Sequence, residues 1–147
     1  MIKRGKIFRK RVVLSKTAGF IILGLLLLID TIFDVLRGTQ GNPLFNPIEN
    51  TFGINAFPLL VPFALVFFYG VIKIVAWIVL KIEKVPNMEE ILLTTLVIIF
   101  FVHDMWVFSV DYLNFSLIRD YHKMIPIYII IGLAYSTWAE RSLKRKK

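Results

Sequence analysis

Residues 56–80 read AFPLLVPFALVFFYGVIKIVAWIVL, twenty-five positions carrying a single charge, Lys73. A helix needs about 20 apolar residues to cross a hydrocarbon core ~30 Å thick. This stretch therefore predicts a membrane span, and the rest of the chain can be read outward from it. Two further runs are long enough by the same measure, residues 17–36, with GFIILGLLLLI at their centre, and residues 91–112. A fourth, MIPIYIIIGLAYSTWAE at 124–140, reaches full length only by counting Leu143 and letting Lys144 snorkel to the interface. The expected fold is all-α, a four-helix integral membrane bundle forming one domain over residues 1–147.

Composition agrees. Of the 147 residues 57% are hydrophobic and the mean hydropathy is +0.71, against ~45–50% apolar content in soluble domains. The thirteen Phe, five Tyr and three Trp are side chains that collect at bilayer interfaces. The formal net charge is +8, and twelve of the 18 Lys and Arg lie in tails at 1–16 and 141–147. Because those tails flank apolar spans, their charge argues for a cytoplasmic membrane face and contact with anionic lipid, and against nucleic acid. The absence of Cys excludes disulfides, thiolate metal sites and thiol nucleophiles.

Orientation follows from the connections. With four spans, both tails and the short link KIEKVPNMEE at 81–90 share one side and hold most of the basic residues. The opposite loops carry only Arg37, Arg119 and Lys123. The positive-inside rule places both termini in the cytoplasm of a multi-pass plasma-membrane protein. A removable signal peptide is disfavoured, because DTIFDVLRG, not a small-residue cleavage site, follows the first run. The first outer loop, RGTQGNPLFNPIENTFGIN at 37–55, has two Asn-Pro turns and room for a compact cap or a brief interfacial turn.

The spans are not uniformly apolar. Asp30 lies fourteen residues past Lys16, and Asp104 fourteen past Glu90, so both stand about 21 Å up helices that rise in the same direction. Asp34 follows Asp30 at i+4 and Asp111 follows Asp104 at i+7, each on its partner's helix face; His103 is adjacent. Ionisable groups at that depth face a bundle interior or a water-filled cavity. One reading is an outward-facing cluster of Asp30, Asp34, His103, Asp104 and Asp111 that passes protons or holds a cation. No cofactor is expected, but a divalent cation could use Asp30, His103 and Asp104. Oxygen ligands with one imidazole suit Mn, Fe, Ca or Mg better than structural zinc. The plainer reading, which the spacing favours, pairs Asp34 and Asp111 with Arg37 and Arg119. It leaves Asp30 and Asp104 protonated or bonded to Thr31, Ser109 or Tyr side chains. Lys73 is expected to snorkel, and Glu140 to pair with Lys144 at i+4.

From Asp30, LLIDTIFDVLRGTQGNPL at 27–44 resembles a family of small archaeal and bacterial four-span membrane proteins of unassigned activity. In these an Asp near the outer end of span 1 precedes a loop carrying Glu-x-Asn-Pro. Asp30, Asn42 and Pro43 match; Gln40 replaces the acid, and Asp34 stands where Thr is common. The likeness covers about half the chain and implies a compact four-helix membrane domain, with no catalytic residue.

No hydrolase, zinc-protease, P-loop or dinucleotide motif is present, and the Asp30–Asp104 match lacks the flanking motifs of intramembrane aspartyl proteases, so an enzyme is not expected. With almost no extramembrane mass, the first expectation is a non-catalytic accessory or assembly subunit bound to other membrane subunits and the lipid bilayer. The alternative is an ion- or proton-handling protein built on the acidic cluster.

Overall fold

A computed structural model of the chain describes residues 12–39, 45–83, 85–115 and 121–144. Among them are five α-helices: α1 (Lys16–Arg37), α2 (Asn46–Phe52), α3 (Phe57–Glu83), α4 (Met88–Asp111) and α5 (Tyr121–Lys144), with a 3₁₀ turn at Ile54–Ala56 leading into α3. The protein is thus all-helical over the described residues. Three of its helices, α1, α3 with its leading turn, and α4, are long and apolar enough to cross a membrane. α5 has 24 residues, enough length at ~1.5 Å per residue, but its polar ends dilute its apolar centre.

Local chemistry sets the helix ends. Ser15 caps α1, its hydroxyl accepting from the Ala18 N–H, and Gly38 closes it at φ 75°, donating to the Val35 carbonyl. The first outer loop, read as room for a compact cap or a brief interfacial turn, holds the short helix α2, entered through Asn46-Pro47. The tight link from α3 to α4 turns at Asn87, in the left-handed region at φ 55°, which Asn tolerates better than most residues.

Contacts along the helices give their directions. Lys16 meets Glu89, Gly19 meets Leu93, Asp30 meets His103 and Arg37 meets Asp111, so α1 and α4 run parallel. Phe20 with Tyr69 and Gly24 with Leu65 set α3 antiparallel to α1. Tyr128 with His103 and Gly132 with Ile99 do the same for α5 against α4. α4 is the hub, packing on α1, α3 and α5, while α1 also packs on α3. Lipid is as apolar as leucine, so helices in a bilayer associate through close contact instead of water exclusion. Gly19 provides such a contact: a Cβ there would stand 2.5 Å from Leu93 Cδ2. Around it Leu23, Leu26, Leu27, Val61, Ile72, Leu93 and Val97 form the main core. A second cluster joins Val85, Ile91 and Ala139 beneath Val12 and Val13. There the Tyr135 hydroxyl donates to the Val12 carbonyl and the Leu14 N–H donates to the Thr94 hydroxyl, which strap the chain before α1 across α4 and α5.

The opposite surface is apolar. On α3, Leu59 and Phe63 are each 74% exposed, and Val66, Phe67, Ile74 and Trp77 are exposed beside them. A continuous patch of this kind is far outside what a water-facing monomer tolerates; it fits a lipid-facing side.

Candidate functional site

Along α1 and α4 the paired ionisable side chains form a layer at each end and a cluster between them. In the first layer Glu89, in the first turn of α4, accepts from Lys16 of α1 at 2.5 Å and from Lys73 of α3 at 2.9 and 3.0 Å. Lys73 therefore pairs with an acid, the alternative to the snorkelling that was favoured; it also lies 5.6 Å from the Tyr69 ring. In the second layer Arg37 pairs with Asp34 on its own helix and, at 3.2 Å, with Asp111 across on α4. From Lys16 to Arg37 is a helix rise of about 31 Å, close to the ~30 Å hydrocarbon thickness. At the α5 end, Glu140 pairs with Lys144 as expected.

The cluster lies between the layers, seven residues below Arg37 on α1, or about 10 Å. Parallel packing of α1 and α4 sets Asp30 beside His103, with Asp30 Oδ1 3.4 Å from His103 Nε2. The other ring nitrogen, Nδ1, is 2.9 Å from the Tyr128 hydroxyl of α5. Aromatic rings surround the imidazole: Trp106, Tyr121 and Tyr128 have centroids 5.8, 6.1 and 5.7 Å away. Asp104, one residue on, is 6% exposed. Among the described residues, neither of its carboxyl oxygens has a hydrogen-bond partner. The side chains expected to serve it are turned elsewhere: Ser109 donates to the Met105 carbonyl, and Thr31 to the Leu28 carbonyl.

The five acidic and imidazole positions singled out in the sequence are thus divided by the structure. Asp34 and Asp111 both pair with Arg37, where the plainer reading shared them between Arg37 and Arg119. Asp30, His103 and Asp104 form a separate group to which Tyr128 is added. Asp30, Asp104 and Tyr128 come from three different helices through α1–α4 and α4–α5 packing. Among the described residues no set of three or more His, Asp or Glu side chains is arranged to hold a metal ion. Gln40, Asn42 and Pro43 of the loop motif, Arg119, and most of the basic tails lie outside the described residues.

Chemically, the group can hold and pass a proton. A neutral His103 that accepts from Tyr128 at Nδ1 presents its Nε2–H to Asp30; protonated, it donates from both nitrogens. Compared with known proteins, the chain matches no family model, no curated sequence and no solved structure.

Proposed function

We propose that this is a four-span membrane protein, with α5 as its fourth span and both termini in the cytoplasm, that handles protons through Asp30, His103, Asp104 and Tyr128. α5 supports the fourth span by running antiparallel beside α4 from Tyr128 to Ala139. The distribution of Lys and Arg supports the orientation.

The observation that carries the reading is Asp104, a buried carboxyl without a hydrogen-bond partner among the described residues, beside an Asp–His pair. Burying such a group unsatisfied costs about 1–3 kcal/mol. Inside a membrane helix, ionisable groups of this kind mark proton or ion pathways. His103 connects the hydroxyl of Tyr128 to the carboxylate of Asp30, and Asp104 serves as the adjoining protonatable site.

The test is reconstitution into liposomes with a pH-sensitive dye inside. The full chain is expected to carry protons down an imposed gradient, and Asp104→Asn and Asp30→Asn to abolish the flux while eluting as the folded protein. Equal flux from all three sinks the proposal. Loss of a metal ion's flux instead of the proton's would turn the reading to cation transport.

Accessory-subunit function draws on the broad apolar face of α3, which a bilayer alone would also cover. Mild-detergent extraction tests it: stoichiometric migration with larger membrane subunits, with assembly unaffected by Asp104→Asn, would favour it over proton handling.

A further inference from the structure

A second site lies at the other end of α1, about 21 Å along the helix from Asp30, and is independent of the proton reading. Lys16, Thr17 and Phe20 of α1, Tyr69, Ile72 and Lys73 of α3, and Glu89 and Leu93 of α4 enclose a cavity of about 230 Å³. Its rim is cationic and its floor, formed by Phe20, Ile72 and Leu93, is apolar. The geometry points to a binding site for one anionic phospholipid, its phosphate held by Lys16 and Lys73 and the start of an acyl chain laid on that floor.

Three observations support this occupant. Each lysine ammonium has three N–H donors, and Glu89, by bonding both ammonium groups, holds them together at one rim without using all six. Glu89 offsets one of the two positive charges, so the rim keeps a net positive charge that favours a lipid of net negative charge over a zwitterionic one. The site also stands level with the starts of α1 and α4, at Lys16 and Glu89, and its apolar floor suits an acyl chain but would add nothing to binding a soluble phosphate. Finally, both basic tails emerge at this end: α1 begins at Lys16, and α5 ends at Lys144 beyond the Ala139–Ile91 contact. They add an electrostatic attraction for anionic lipid on this side of the bundle.

The experiment is native mass spectrometry of the full chain in mild detergent with added phosphatidylglycerol or phosphatidylcholine. One phosphatidylglycerol is expected to stay bound in preference to phosphatidylcholine. Lys73→Gln and Lys16→Gln should each lower its affinity about fivefold, and Lys73→Arg should retain it. Equal retention of the two lipids overturns the proposal. So does a preference that survives both Gln substitutions and disappears only when the basic residues at 3–11 are neutralised. Should one Gln variant fail to fold, the other, with the wild-type preference in raised salt, decides: a directed phosphate site keeps its one lipid, whereas tail attraction is screened away.

Discussion

Arg37 and Asp104 sit on neighbouring helices about 10 Å apart in depth, and their surroundings are opposite. Arg37 holds two carboxylates, Asp34 and Asp111, and so ties α1 to α4 where they end. Asp104 is more deeply buried than any of the three and is bonded to nothing among the described residues. Stabilisation explains the first arrangement fully. It cannot explain the second, which works against the packing around it. The difference separates charges paired across the bundle from a buried carboxyl left without a hydrogen-bond partner among the described residues.

That comparison can be broken by substitution. Arg37→Leu should have the largest effect, a loss of about 3 kcal/mol, because it strands two carboxylates. Thermal unfolding in detergent reads it, and adding Asp34→Asn should restore part of the loss. Asp104→Leu should act in the opposite direction, raising stability by about 2 kcal/mol by removing an unsatisfied buried group. If Asp104→Leu destabilises as much as Arg37→Leu does, the two sites are alike and the contrast is void. Tyr128→Phe should cost about 1 kcal/mol, the worth of one hydrogen bond to His103. Its larger signature should be a shifted imidazole resonance in NMR. Glu140→Gln, at an exposed i,i+4 pair, should change stability by only about 0.3–0.5 kcal/mol; a larger loss would mean the end charges do more than local pairing.

Much of the framework was legible from residue types alone. The runs at 17–36, 56–80 and 91–112 lie within a few residues of α1, α3 and α4, because an apolar run of bilayer length has few other uses. Counting rise per residue also matched Asp30 with the His103–Asp104 pair, and position near the span ends gave Asp34 and Asp111 an arginine as counter-charge. What escaped was lateral: which helix neighbours which. Apolar spans show little of the one-sided pattern that would reveal a buried face, so nothing indicated that α4 is the hub or that α5 packs on it. Glu89 as the partner of Lys73 and Tyr128 as the partner of His103 both depend on that arrangement. Extending the depth count to α3 and α5 would have placed each candidate near its level, but not on its side.

The account rests most directly on whether Asp104 exchanges protons with its neighbours. Infrared difference spectra of the reconstituted chain, recorded between acid and alkaline buffer, measure this. The expected result is a protonated-carboxyl band that changes with pH, disappears in Asp104→Asn and moves in His103→Gln. A carboxyl band assigned to Asp104 that stays constant across the whole pH range, unmoved by His103→Gln, would show a buried acid fixed in one state and would contradict proton handling.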